Sequence, residues 1–429
     1  MEEIEKFCER IRDSEIRAGF RAAVYQNLLP ARTDREYAGH FSITSDGRSF
    51  GTENTWPGLD SWQMTGAYLA LGQTAPALGT FRFVRASQRE DGNLPFAVFP
   101  AEVCRDPESR RTYLKGMKYP EDIFRFESGE GATREWIGLY RHWVAENPLS
   151  ALAAVCYVLT ASEIFAYTDD SAWLRENLES VRQAGEFLLS LRTENGLYAG
   201  CAFYIEMIPR KEFDGTAQCY IYHAFKALSA LCAAAGETAE AEKWNREALA
   251  LRKAFCEFFV RDGRCGEYVH PERGLVDLHG LSDVNFAAIA FGLVEEGLAR
   301  EIWKNVRAEP DFWWGGMPTQ VVTRPYLIRE WELGADVGFA PDRGKVYDMA
   351  AMGRVFYLEM YAAAQMQDWE RLRKGVALVC RRGVSDGGYW RERYGMCMDG
   401  RAVGYGPDRY CEYPAVLVRT VLRSPEVFE

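Results

Sequence analysis

Carboxylates with aromatic neighbours recur in the long segments between the predicted helices. Three of them stand out: Asp60 near Trp62, Glu206 after Tyr204, and Glu392 between Trp390 and Tyr394. Glycoside hydrolysis needs one protonated acid at the leaving oxygen and one ionised carboxylate that acts as base or nucleophile. An aromatic wall raises the pKa of an acid, while hydrogen bonds keep a base charged. These residue types therefore favour cleavage of a glycosidic bond.

Several of these acids also have a structural interpretation, which the sequence leaves open. Asp60 could be an early-helix charge that interacts with the helix dipole. Asp214 has the spacing of an N-cap with Ala217 at N3, and it is also a candidate for sugar binding. Glu127 and Glu130 could be solvated loop acids or could hold sugar hydroxyls.

Glu206 and Glu392, the two acids proposed to carry the chemistry, also have structural interpretations. Glu206 is a lone carboxylate in the apolar run CAFYIEMIP, so it is either paired with an arginine or functional. Glu392 lies between Arg391 and Arg393, and a structural ion pair is the alternative there.

Aromatic residues make up 14% of the chain, which is enough both to fill a wide core and to line a sugar site. Aromatic faces stack on the apolar C–H side of pyranose rings. The candidates for this role are Trp56, Trp62, Trp136, Trp313, Trp314, Trp390 and Tyr394.

The charge pattern argues against two classes of partner, and the carbohydrate partner is expected from the acids and aromatic residues alone. The net charge is −11 and the basic residues are scattered, which argues against nucleic acid and against an anionic membrane surface. Five histidines at no metal-ligand spacing predict neither a metal site nor a cofactor. The sequence does not predict an oligomeric state.

The 11 cysteines form no C-x-x-C pair and fit free thiols in a reducing compartment. The charged N-terminus has no apolar signal-peptide region, and no apolar run reaches the roughly 18 residues of a membrane span. We therefore expect a soluble, cytoplasmic protein.

Apolar periodicity predicts pairs of helices, and strand patterns occur only in the loops. Residues 3–18 are predicted to form a surface helix and residues 19–55 to be irregular. Asp170 or Ser171 is the predicted N-cap of the fourth paired helix. The predicted paired helices run from Pro57 to Gly72 and then over 75–88, 146–167, 171–191, 214–235, 238–260, 282–293, 296–307, 319–333, 347–366, 368–382 and 411–422. Long loops that carry acids and aromatics between the pairs favour a closed ring with one mouth over an open α-solenoid.

Ordered landmarks resemble the catalytic domain of the bacterial α-L-rhamnosidase family, within the six-hairpin glycosidase superfamily. WPGLDSWQ and QREDGNLPFAV resemble the family's opening hairpin, and GGMPTQVVTRPYLIREWELG resembles its G-x-x-G-T-P-Y-L-L segment. YWRERYG resembles L-W-E-R-W, and CEYPAVLV lies where the family begins its last helix. The match covers most of residues 55–420 in the correct order.

This resemblance implies an all-α fold, an (α/α)6 barrel whose long loops line one face. It implies a single catalytic domain over residues 1–429, with a lead-in at about 1–55. The implied reaction is inverting, exo-acting hydrolysis of a short oligosaccharide or glycoside that is rhamnoside-, glucoside- or uronide-like. Glu206 would lie near the general acid, Glu392 would be the base, and Asp60 would hold sugar hydroxyls.

Other functions of the same barrel stay open. A sugar epimerase would need paired histidines, and a polysaccharide lyase would need a base and a cation such as Tyr204, Tyr222, His223 and Arg324. A non-catalytic glycan-binding barrel is the third possibility. The segment GCAFYIE, which lacks the aspartate of the family's acid motif, favours it.

Overall fold

The computed structural model describes most of the helical part of the chain. The described residues are 2–32, 41–47, 55, 57–101, 123–128, 134–140, 150–199, 213–310, 312–313, 317, 326–327, 331, 346–347, 350–396 and 402–429. The helices are α1 (Glu2–Arg10), α2 (Ser14–Ala22), α3 (Leu29–Ala31), α4 (Leu59–Ala70), α5 (Thr74–Ala86), α6 (Ser150–Thr168), α7 (Ser171–Ser190), α8 (Gly215–Ala234), α9 (Thr238–Phe259), α10 (Asp283–Ala290), α11 (Glu296–Ala308), α12 (Gly353–Gln365), α13 (Trp369–Ser385), α14 (Glu412–Arg423) and α15 (Pro425–Phe428). A π-helical stretch, Ala23–Leu28, joins α2 to α3.

Six helices of the described chain form a closed inner ring. Helices α4, α6, α8, α10, α12 and α14 each pack against the next, and α14 packs against α4. Helices α5, α7, α9, α11 and α13 pack outside this ring, and α2 with its π-helical extension packs against α13 and α14. The ring closure confirms the predicted (α/α)6 barrel and excludes the open solenoid.

Sequence pattern separates the two layers. All eight residues of the inner helix α10 are buried, as expected for a helix surrounded by other helices. The outer helix α11 buries only one stripe, Ala299, Ile302, Trp303 and Val306, at i, i+3, i+4 and i+7. The difference places the core between the two rings.

Glycines at the start of alternate inner helices allow close contact with the next inner helix. A Cβ atom on Gly215 would lie 2.8 Å from Val284, at the start of α10, and one on Gly353 would lie 2.8 Å from the Cγ of Glu412. A Cβ on Gly58 would lie 3.1 Å from Leu152 of α6. The N-terminal ends of the inner helices therefore meet at one end of the barrel.

Short antiparallel strands occupy the loops, as predicted. One sheet has the order β1-β3-β2, with Phe99 opposite Ile137, and another has the order β10-β11-β12, with Tyr394 opposite Gly404. Three hairpins are β4–β5, β6–β7 and β8–β9. The strands are β1 (Ala97–Pro100), β2 (Ile123–Ser128), β3 (Arg134–Leu139), β4 (Val260–Arg261), β5 (Arg264–Cys265), β6 (Tyr268–His270), β7 (Gly274–Val276), β8 (Tyr326–Leu327), β9 (Val346–Tyr347), β10 (Ala350–Met352), β11 (Arg393–Met396) and β12 (Ala402–Tyr405).

Several of the predicted elements were wrong. The predicted helix over 3–18 is two helices, because Asp13 caps a new helix by accepting hydrogen bonds from the backbone N–H groups of Glu15 and Ile16. The predicted irregular segment 19–55 is helical as far as Ala31. Within the predicted helix 319–333, Tyr326–Leu327 is a strand.

Helix α6 also differs from the expectation about apolar runs. Its residues Ala151–Thr168 form an 18-residue window that is long and apolar enough to cross a membrane. Of that window, 67% is buried inside the protein. The composition is that of an inner helix of the barrel, which is surrounded by protein.

Candidate active site

The N-terminal ends of the inner helices bring a group of charged residues to one end of the barrel, which we call the mouth. Asp60 lies in the first turn of α4, Arg354 in the first turn of α12, and Glu412 is the first residue of α14. Glu392 directly precedes β11, which pairs with the strand leading into α12. Closing the ring is what brings these distant segments together.

Arg354 links two carboxylates of the mouth. Its Nη2 donates to Asp60 Oδ1 at 3.1 Å, and its Nε donates to Glu412 Oε1 at 2.9 Å. The side chain of Glu412 is 0% exposed and that of Asp60 is 14% exposed. The hydroxyl of Tyr410 donates to Asp60. Asp60 is therefore held at the open side of the network, and Glu412 supports Arg354 from behind.

Glu392 is the third carboxylate of this group. Its Oε1 accepts from Arg393 Nη2 at 2.8 Å, and its backbone N–H donates to the carbonyl of Pro407 at 3.2 Å. The ion pair that the sequence left open as an alternative is present, and Arg393 is its cation. The negative charge of Glu392 also acts on Asp60, Glu412 and Tyr410, so it belongs to the same cluster.

Gly406 holds the other side of Glu392. It has a φ of +69°. A Cβ atom there would lie 2.2 Å from Glu392 Oε2, which no real contact allows. The turn after β12 therefore needs glycine both for its backbone conformation and for the position of the carboxylate.

Burial sets the protonation of the cluster. Burial raises the pKa of Asp60 above its ordinary value, against the opposing effects of Arg354 and Tyr410. Burial likewise raises the pKa of Glu412, against Arg354. Asp60 and Glu412 share the single guanidinium group of Arg354, so burial favours retaining a proton on one of these two acids while the other stays ionised. This is the electrostatic condition that acid–base cleavage of a glycoside requires.

A second polar group braces α8 against α10. Asp214 is the N-cap of α8 and accepts from the backbone N–H of Ala217 at 3.1 Å, so the predicted cap and its N3 residue are confirmed. Thr216 Oγ1 donates to Asp283 Oδ2 at 2.7 Å. Asp214 is completely buried, so its predicted contact with sugar is not supported.

Several of the aromatic residues predicted to stack on sugar lie buried in the core instead. Exposure of 1% or less leaves no open face on Trp62, Trp136, Trp390 and Tyr394. Trp390, for example, donates from Nε1 to the carbonyl of Val379 at 3.0 Å. Trp313 is half-buried and donates from Nε1 to Glu359 at 2.8 Å.

The remaining predicted residues divide into two groups. Glu127 is exposed on β2, opposite Glu135, as the solvated-acid interpretation expects. Others lie outside the described residues, and their predicted roles stay predictions: Trp56, Glu130, Glu206 and Trp314.

Three residues of the cluster were missed in the sequence: Arg354, Tyr410 and Glu412. Arg354 is a lone cation in the apolar run AAMGRVFYLEM, and Glu412 is a lone acid before PAVLV. A charge isolated in an apolar run is the signal that could have found both, and it is the signal that singles out Glu206 in CAFYIEMIP.

The two lyase candidates within the described residues, Tyr222 and His223, do not join the cluster at the mouth. Tyr222 donates to the carbonyl of Gly292 at 3.4 Å, and Gly292 follows the C-terminal end of α10. His223 stacks on Phe291, with ring centroids 4.4 Å apart. Both residues therefore lie about two turns into α8 rather than in its first turn. Tyr204 and Arg324 lie outside the described residues.

Comparison with known proteins defines the class. Residues 152–329 match the family described as the bacterial alpha-L-rhamnosidase 6 hairpin glycosidase domain. This match and the closed double ring confirm the predicted resemblance to the six-hairpin glycosidases. The same match supports the predicted class of enzyme, a glycoside hydrolase. No curated protein matches the chain.

Solved structures share the fold at low identity. A rhamnosidase from Klebsiella oxytoca with rhamnose bound aligns with a TM-score of 0.63 at 12% identity, over 97% of this chain and 65% of that chain. A GH78 family rhamnosidase of Bacillus sp. GL1 aligns with a TM-score of 0.58 at 13% identity, over 97% of this chain and 35% of its own. A glycosidase in complex with glucose aligns with a TM-score of 0.61 at 13% identity, over 97% of this chain and all of that chain. The chain thus spans less than two thirds of either rhamnosidase.

Proposed function

We propose that this protein is an inverting, exo-acting glycoside hydrolase that cleaves a short oligosaccharide or glycoside. The substrate class is rhamnoside-, glucoside- or uronide-like, in keeping with the sugars bound by the structural neighbours. The proposal includes a single catalytic domain and a cytoplasmic location. The cysteines of the described chain are free thiols, in keeping with that location.

One observation carries the proposal: Asp60 and Glu392 share one electrostatic cluster at the mouth, and both retain some exposure. Asp60 is 14% exposed and Glu392 9% exposed at the side chain, whereas Glu412 is fully buried. A carboxylate that touches substrate needs such an opening.

Each residue of the mouth has a proposed role. Glu392 is the general base that activates the attacking water, and Arg393 and Gly406 hold it in place. Asp60, oriented by Arg354 and Tyr410, binds sugar hydroxyls. Glu206 is the proposed general acid, because in the sequence it precedes Asp214, the N-cap of α8, by only eight residues, and α8 begins at the mouth.

The stereochemistry of the product tests the reaction class. Aryl rhamnosides, glucosides and glucuronides of both anomeric configurations are incubated with the enzyme, and the first-formed sugar is followed by proton NMR. An anomer opposite to that of the substrate supports inversion. A retained anomer refutes the inverting mechanism. An unsaturated product that absorbs ultraviolet light refutes the hydrolase class.

Paired substitutions test the assignment of the acids. Glu206→Gln and Glu392→Gln are expected to lower kcat by about 10²–10⁴-fold each, while Glu127→Gln, at an exposed acid, is the matched control. Full activity in Glu206→Gln would transfer the acid role to another residue of the mouth. Full activity in Glu392→Gln would remove the proposed base.

A further inference from the structure

The end of the barrel opposite the mouth contains a cavity of about 280 Å³. It lies between the C-terminal halves of α6, α12 and α14, and we call it the rear cavity. Its charged and aromatic lining consists of Glu163, Tyr167, Tyr357, Tyr361, Arg419 and Arg423, and Thr420 and Ser424 add hydroxyl groups. This size is close to the lower end of ligand sites, about 300–1,000 Å³, and suits a molecule as large as a monosaccharide.

The floor of the rear cavity is a fixed ion pair. Arg419 binds Glu163 through Nη2 and donates from Nη1 to Gln63 Oε1 at 2.9 Å. Trp62 donates from Nε1 to Glu163 Oε1 at 2.7 Å. A Cβ atom on Gly66 would lie 2.4 Å from both partners of the pair, so α4 leaves space for it. The charges of Glu163 and Arg419 thus offset each other.

Arg423 adds a cation that this pair does not offset. Its guanidinium carbon lies 3.3 Å from the ring centroid of Tyr361. Among the described residues, no carboxylate lies within ion-pair distance of it, although its charge acts on Glu163, and the side chain is exposed at the cavity rim. Two arginines and one glutamate leave the rear cavity with one net positive charge, although the whole chain carries −11.

The positive charges of the rear cavity also affect His223 on α8, the neighbouring inner helix. The pKa of His223 falls to about 4, because of burial first and then of Arg423 and Arg419. His223 is therefore neutral at physiological pH and adds no charge of its own, so the arginines are the cations of this region. Tyrosine rings beside a cation offer both a stacking face and hydroxyl donors to an anion with a ring-shaped body.

We propose that the rear cavity binds a small organic anion, with one carboxylate or phosphate group on a body of monosaccharide size. Arg423 contacts the anionic group, Tyr361 and Tyr167 border the body, and the Glu163–Arg419 pair forms the floor. The site is separate from the mouth, so its occupancy does not depend on the reaction proposed there.

Isothermal titration calorimetry tests the site with three probes: glucuronate for a carboxylate, glucose 6-phosphate for a phosphate, and glucose as the neutral counterpart. Saturable binding of at least one anion is expected, with glucose at least tenfold weaker. Arg423→Gln should weaken the anion by roughly 10-fold to 100-fold, the range of a charge-assisted hydrogen bond. Arg423→Lys, which keeps the charge, should retain most of the affinity.

Two control variants distinguish anion binding in the rear cavity from a general charge effect and from binding at the mouth. Arg246→Gln removes the same charge from an exposed position on α9 and should bind as wild type. Asp60→Asn alters the mouth and should also bind the anion as wild type. The proposal is overturned by the absence of saturable anion binding, by unchanged affinity in Arg423→Gln, by glucose binding as tightly as the anions, or by loss of the anion in Asp60→Asn.

Discussion

Gly406→Ala provides a test of how the mouth positions Glu392. The substitution places a Cβ atom 2.2 Å from Glu392 Oε2 and 2.9 Å from its Cβ. Contacts of real Cβ atoms do not fall under 3.0 Å, so the carboxylate must move by about 1 Å. A displacement of about 1 Å in a catalytic group costs on the order of 10²-fold in rate. We therefore expect kcat to fall about 100-fold.

The effect on stability should be small by comparison. A non-glycine residue at positive φ costs about 1–2 kcal/mol. The entropy of unfolding is about 2.1 cal/mol/K per residue, and the chain has 429 residues. Each kcal/mol then shifts Tm by only about 1 °C.

Gly387→Ala is the matched control. Gly387 has a φ of +77°, and a Cβ atom there would meet nothing within 4 Å. Both variants should lose the same degree or two in differential scanning calorimetry, and only Gly406→Ala should lose activity against the best aryl glycoside. Equal activity in the two variants would refute the claim that the Gly406 turn positions a catalytic Glu392.

Two further predictions concern the ring of inner helices. The pKa of Glu412 rises from an ordinary value of 4.5 to about 8 in the folded protein. The protonated side chain therefore stabilises the fold fully below pH 4.5, and this stabilisation is lost as the pH rises through about 8. Glu412→Gln should therefore flatten the fall of Tm across this range, and an unchanged slope would contradict the burial argument. Gly353→Ala forces a Cβ atom to 2.9 Å from the backbone nitrogen of Tyr413 and should destabilise by about 1–3 kcal/mol in chemical denaturation. Gly297→Ala, on α11 with open space around it, should be neutral or stabilising, and equal losses in both would contradict close packing of α12 on α14.

Local sequence signals were sufficient for most helices. The predicted helix 214–235 is Gly215–Ala234 in the structure, and Gly236 follows it at a φ of +82°. Asp170 caps α7 as predicted, by accepting from the N–H groups of Ala172 and Trp173. Caps and apolar periodicity involve residues only a few positions apart, so both can be recognised in a single sequence.

Errors arose where distant segments decide the structure. The predicted helix 347–366 begins only at Gly353, because Ala350–Met352 pairs as a strand with β11, some forty residues later in the chain. Local propensity cannot report such a pairing. The extent of the single domain stays a prediction.

In the candidate site, too, single residues could be selected from the sequence but their distant contacts could not. Asp60 and Glu392 could be selected from their aromatic neighbours, but Arg354 joins Asp60 across 294 residues and Glu412 across 58. Only closure of the ring creates these contacts. An aromatic residue at a buried position also has the same sequence signal as one in a cleft. Trp62 and Trp390 were therefore assigned to sugar binding although they fill the core.

The central claim is that Glu392 is the base of a glycoside-cleaving mouth. Its most direct test is the rate of Glu392→Ala on an activated aryl glycoside, with and without azide, a nucleophile that needs no base. We predict a loss of about 10²–10⁴-fold in kcat, a Tm within a few degrees of wild type, and recovery with azide through a glycosyl azide of inverted configuration. Wild-type turnover in Glu392→Ala, or a loss of activity that follows unfolding and that azide does not restore, would contradict the account.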